Sequence, residues 1–167
     1  MPYGRKAIVG SNPTSSAMDS YQPLLSLSPL DGRYLGQVSD LRAYFSEMAL
    51  IKQRVFVEAV YLIELVDFLD REKLTKTEKK RLLKLAEKLQ KKDFKKIKQI
   101  EKEIHHDVKA IEYFIKDSLV RLKLGKLKPW VHWGLTSEDV NNLAYGLMIK
   151  GAKKRLLIPS QIQLIKL

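Results

Sequence analysis

The 167-residue sequence contains no cysteine. That removes disulfides, thiolate metal sites and cysteine nucleophiles together, and it fits a reducing compartment such as the cytoplasm. Histidine is scarce, with His105, His106 and His132 as the whole set. No apolar run reaches the roughly eighteen residues of a membrane span. Acidic residues number 19 against 31 lysines and arginines. Neither a strand-like alternation nor an internal repeat is evident.

What remains describes a globular chain. Hydrophobic residues make up 45% and charged residues 30%, and the length suits one domain with a sizeable core. The net charge of +12 is unevenly placed, because residues 71–103 hold 14 Lys/Arg against 6 Asp/Glu and so carry +8 of it. Such a block is either a nucleic-acid surface or a solvated helical face. Lys far outnumbers Arg there, which favours the solvated face.

The order of elements follows from spacing. Residues 1–24 mix Gly, Pro, Ser and Asn without periodicity and read as a disordered extension or tag. Pro29 and Asp31-Gly32 mark a turn-rich loop. A long helix is expected from about Asp40 to Asp70, with Leu41, Phe45, Met48, Val55, Ala59, Leu62, Val66 and Leu69 on its stripe. Thr75-x-x-Glu78 predicts a capping box opening a short helix to about Gln90. Asp93 is expected to cap the most regular segment, in which Phe94, Ile97, Ile100, Ile104, Val108, Ile111, Ile115, Leu119 and Leu122 recur at three- and four-residue steps. That pattern predicts one continuous helix of about eight turns, ended by Gly125 and Pro129. Thr136-x-x-Asp139 predicts a second capping box, with Val140, Leu143, Ala144 and Leu147 facing inward. The fold class is all-α.

The candidate functional residues are modest one at a time. On a continuous helix, His106 would point about 180° from the apolar stripe, with His105 and Asp107 about 80° to either side. It would face either water or a second surface carrying a ligand or a neighbouring chain. Neighbouring histidines diverge by about 100°, so a shared metal ion is disfavoured. Arg33 and Tyr34 could offer a guanidinium and a phenol to an anion, or form an ordinary surface turn. Thr136 and Ser137 stand where free helix N–H groups would meet an anion, although plain N-capping is the commoner use of such residues. Trp130, His132 and Trp133 read as packing residues.

Three stretches in order, "LSPLDGRY" (27–34), "HHDVKAIEYF" (105–114) and "LTSEDVNNLAYGLMIK" (135–150), resemble the adenylosuccinate lyases of the fumarase/aspartase superfamily. "FSEMALIKQRVFVE" (45–58) resembles that family's first long helix. The resemblance implies an N-terminal helical lyase domain over 25–128 and the start of a central helical bundle over 129–167. It implies substrate binding by Arg33, Tyr34, His105, His106, Asp107, Thr136 and Ser137, with His105 where relatives often carry Asn. The implied reaction is the β-elimination of fumarate from adenylosuccinate, giving AMP, and from the related imidazole carboxamide succinyl ribotide, without metal or other cofactor. The family works as a cytoplasmic homotetramer in purine biosynthesis, and a membrane or nucleic-acid partner is not expected. Its general acid and general base lie beyond the point matching Leu167. No catalytic residue is therefore expected within these 167 residues, and the chain alone should be inactive.

Overall fold

The computed structural model describes residues 26–166, so the expected extension over 1–24 lies outside the described residues. The chain divides into two units, with the boundary between Asp40 and Leu41. In the first, residues 28–38 form consecutive turns closed by Asp31 N–H to Ser28 O (3.0 Å) and Tyr34 N–H to Pro29 O (2.9 Å). These bonds satisfy backbone groups that helix or sheet would otherwise pair.

In the second unit every regular element is helical, and no strand occurs among the described residues. A single turn, α1 (Arg42–Phe45), precedes the long α2 (Glu47–Phe68). The expected unbroken helix from 40 to 70 is thus interrupted at Ser46. That residue is extended, and its hydroxyl accepts the Ala49 N–H at 3.2 Å. A serine offered this local bond stabilises a helix start better than a helix interior. Leu41, Phe45 and Met48, expected on the buried stripe, are exposed. They belong to the stretch ahead of Ser46 or to the first turn after it, where Ala49 rather than Met48 is buried.

The short helix α3 (Lys76–Glu87) opens with the expected box, Thr75 Oγ1 accepting from Glu78 N–H while Glu78 accepts from Thr75 N–H. Next, α4 (Lys91–Ile104) starts at Gln90 rather than at Asp93. The Asp93 carboxylate instead reaches back to accept the Gln90 N–H at 2.9 Å. The expected eight-turn helix is not continuous. It ends at Ile104, and α5 (Asp107–Arg121) begins after two intervening residues, His105 and His106.

Lys96 pairs with Asp117 at 2.6 Å and Arg121 approaches Asp93 at 3.9 Å, so the start of α4 lies beside the end of α5. The two form an antiparallel hairpin with His105 and His106 at its tip. Three- and four-residue spacing carries on in phase through the break, because the apolar stripes of both arms meet in the same core. Periodicity alone therefore reads the hairpin as one rod.

Beyond α5, Lys123 takes a left-handed backbone and Leu124 N–H returns to Leu119 O at 2.8 Å, closing the helix in Schellman fashion. A 3₁₀ segment, Gly125–Trp130, leads to α6 (Ser137–Ala152), whose Thr136–Asp139 box forms as expected. A π turn over Lys153–Leu157 joins it to α7 (Ile158–Ile165). On α6 the buried residues are Val140, Ala144, Met148 and Ala152, a strip too narrow to include Leu143, which is exposed.

The principal core gathers Val55, Leu62, Ile111, Phe114, Leu119 and Leu127 where α2, α5 and the 3₁₀ segment meet. A smaller cluster of Val57, Val108 and Val140 joins α2, α5 and α6. Each fully buried side chain of this size stabilises the fold by about 1.5–3 kcal/mol relative to exposure.

Candidate functional site

The small valine cluster positions the site, because each valine has a polar neighbour in sequence. Asp107 precedes Val108, Asn141 follows Val140, and Arg54 lies one turn ahead of Val57. Those three polar residues meet. Arg54 is only 5% exposed, and two of its nitrogens are engaged: Nη2 lies 2.7 Å from Asp107 Oδ2, and Nε–H donates to Asn141 Oδ1 at 2.9 Å. One guanidinium thus ties α2, the hairpin tip and α6 together, a geometry that its planar fork of donors permits and a lysine would not.

The hairpin tip is built from the histidines themselves. His105 has φ 53°, the left-handed position that ends many helices and that glycine usually fills. His106 is extended and serves as the N-cap of α5, its Nδ1 accepting the Lys109 N–H at 3.2 Å. Because Nδ1 accepts, the neutral ring carries its proton on Nε2, and that N–H remains as a donor. Asp107 occupies the first helical position, where the N-terminal dipole favours a carboxylate. Its Oδ1 accepts the Val108 N–H at 2.8 Å. Partial burial alone would raise the Asp107 pKa, but the Val108 amide and the Arg54 guanidinium outweigh it and hold the carboxyl below its ordinary value of 3.8.

About half of each side chain, 51% for His106 and 49% for Asp107, stays exposed. His105, His106 and Asp107 border a broad depression of about 1070 Å³ along α4, together with Lys95, Lys98 and Lys102. Glu101 shares this lining and Lys98 is paired to it, so the donor imidazole, the fixed carboxylate and the Lys95 and Lys102 ammonium groups are what suit a polar, anionic ligand. The angular placement expected for a continuous helix does not apply, since His105 and His106 both lie between helices.

The other sequence-predicted residues fall into two places. Thr136 and Ser137 stand at the head of α6, about one turn before Asn141. The Thr136 hydroxyl is committed to its box, accepting from Asp139 N–H and donating to Asp139 Oδ2 at 2.8 Å. Arg33 and Tyr34 lie in the first unit, where the Arg33 guanidinium sits 5.5 Å from the centre of the Tyr34 ring. The lysine-rich stretch is partly neutralised, with Lys79 paired to Asp67 and Lys98 to both Glu47 and Glu101.

Sequence reasoning missed Arg54, Glu58 and Asn141, and it gave His132 only a packing role. Glu58 is buried one turn after Arg54, and one of its oxygens hydrogen-bonds the His132 ring. Its other oxygen, Oε2, has no partner among the described residues. Burial raises the Glu58 pKa above its ordinary 4.5, against the lowering pull of His132. The available signal was two charged residues, four apart, on a helix otherwise buried on several sides.

Comparison with known proteins accords with this architecture. The family described as lyase matches residues 32–167. The adenylosuccinate lyase of Dictyostelium discoideum is 44% identical over 148 residues, covering 85% of this chain and 32% of that protein. Those of Haemophilus influenzae and Escherichia coli K12 are 39% and 37% identical, over 146 and 159 residues, with the same coverages of 85% and 32%. The chain spans about a third of the length of the curated relatives it matches. No helix among the described residues is long and apolar enough to cross a membrane. With the family match running through α1 to α7 and the all-helical fold alongside it, the chain belongs to the lyase family.

Proposed function

We propose that this chain forms the N-terminal, substrate-binding part of an adenylosuccinate lyase, which eliminates fumarate from adenylosuccinate to leave AMP. The observation that carries the reading is the likeness to adenylosuccinate lyases over 85% of the chain. The hairpin tip adds chemical support. His106 offers an N–H donor and Asp107 a held carboxylate acceptor, beside lysines suited to a substrate rich in carboxylate and phosphate. Arg33, Tyr34, His105, Thr136 and Ser137 complete the proposed binding set, with residues 25–128 as the N-terminal domain and 129–167 as the start of the bundle.

In this reading the general acid and base that an elimination requires come from outside these 167 residues. The binding residues orient the substrate and meet its charge, a contribution that preorganised donors make without reorganising during reaction. The exposed apolar residues Ile149, Leu157, Ile162 and Ile165 support assembly into a homotetramer. The lack of cysteine supports a cytoplasmic setting.

The test is a chimera in which residues 26–166 replace the matching segment of the Escherichia coli enzyme. It should restore purine-independent growth to a strain lacking adenylosuccinate lyase, and His106→Ala should abolish the rescue. A chimera that assembles normally yet cleaves no adenylosuccinate overturns the reading. The 167-residue chain by itself should give no turnover, and detectable turnover would refute the external acid and base.

A further inference from the structure

Arg54 holds a position that the proposed binding set leaves unexplained. It is a cation buried on an apolar helix, and burying a charge is costly unless it is paired and hydrogen-bonded. Its two partners are the Asp107 carboxylate and the Asn141 side chain, 2.7 and 2.9 Å away. Those partners sit on different helices, and each adjoins a valine of the small cluster. Asp107 in turn begins α5, directly after the His106 cap. We infer that Arg54 is the positioning residue of the site: its fork fixes Asp107, and with it the His106 tip, against the head of α6.

The inference rests on the proposed lyase reading for its functional consequence, but its structural core does not. A residue needed only for packing would loosen the whole unit when lost. A positioning residue loosens one place. The backbone offers a direct reporter, because the Lys109 amide donates to His106 Nδ1 and the Ala110 amide to His106 O. Both bonds exist only while the tip keeps its shape.

The first experiment is hydrogen exchange on the intact 167-residue chain carrying Arg54→Gln, Asp107→Asn, or both. Each single change should speed exchange at Lys109 and Ala110 by about tenfold or more, with Leu82 and Ala86 of α3 unaffected. The double variant should be no faster than the faster single, since the two residues act through one interaction. Arg54→Lys keeps the cation but cannot hold both partners, so it should fall between. Unchanged exchange at the tip, or equal acceleration throughout the chain, overturns the inference.

The second experiment places Arg54→Gln in the chimera. We expect KM for adenylosuccinate to rise on the order of 10- to 100-fold with a smaller fall in kcat, as misplacing a binding group by about an ångström would produce. An active chimera whose KM ignores Arg54→Gln overturns the inference. An inactive unmutated chimera tells against the lyase reading only, and the exchange result then decides the role of Arg54.

Discussion

Arg54 and Glu58 occupy successive turns of the same helix, and both are buried, yet their surroundings treat them oppositely. Arg54 meets a carboxylate and an amide oxygen, and its partner Asp107 remains half in water. Glu58 meets one imidazole, keeps an oxygen with no partner among the described residues and lies near a second carboxylate, Glu112. A guanidinium cannot shed its charge, so the fold must supply partners for it. A carboxylate can shed its charge, and burial here makes protonation easier. The first residue therefore acts as a fixed strut and the second as a titratable one.

The sharpest way to break this comparison is to remove the strut's partner. Asp107→Ala leaves Arg54 buried with Asn141 alone. Losing one member of a buried pair costs roughly 3–5 kcal/mol, and water reaching the half-exposed Asp107 position places this case near the lower end. Urea unfolding should show that loss. Glu58→Gln should cost less, about 1 kcal/mol, because an amide of the same shape can still hydrogen-bond His132 without a charge to bury. If Glu58→Gln proves the more damaging of the two, the assignment of strut and titratable group is reversed.

The pair should also differ in pH dependence. The folded pKa of Glu58 is raised, so its contribution is full below the ordinary value of 4.5 and is lost as pH rises through the folded value. For Asp107 the folded pKa is lowered, so its contribution is present above 3.8 and is lost as pH falls through the folded value. Thermal melts across pH 3 to 8, read as differences from wild type, should show Glu58→Gln flattening the decline on the upper side. Asp107→Asn should flatten the acid side. Identical pH profiles for the two variants would remove the distinction.

The two Thr-headed capping boxes were legible, whereas the Ser46 break, the Gln90 start and the long-range contacts were not. The Thr75–Glu78 and Thr136–Asp139 boxes lie within four consecutive residues, so composition and spacing suffice to find them. Likewise, the stripe from Phe94 to Leu122 correctly marks core-facing residues. Its period is blind to the fold-back at His105, because the left-handed turn is made by histidine where glycine would have announced it. Arg54 bonds a residue 87 positions away, and Glu58 one 74 positions away. No window along the chain contains both members of either pair. His106 and Asp107 were picked out by resemblance, and the structure supplies the local reason for their geometry: one caps α5 and the other opens it.

A milder change probes the α6 side of the same junction. Thr136→Ala removes an N-cap whose hydroxyl serves Asp139 N–H, and should cost about 1 kcal/mol. The cost should not change appreciably when Asp107→Asn is also present, because the box makes no bond to the Arg54 network. Chemical denaturation of the two single variants and the double variant measures the coupling directly. Strong non-additivity would mean that α6 and the hairpin tip behave as one unit rather than two joined by a strut.

The smallest expected effect concerns the tip itself. His105 holds a left-handed backbone, which costs a non-glycine residue roughly 1–2 kcal/mol. Glycine would remove that strain but would add backbone freedom to the unfolded chain. The balance for His105→Gly is a net gain of at most about 1 kcal/mol. Asparagine visits this conformation more readily than most residues, so His105→Asn should come out near neutral. Melting temperatures for the two variants decide the point. A substantial loss with glycine would show that the His105 side chain itself holds the tip, making the histidine more than a tenant of a position shaped by Arg54 and Asp107.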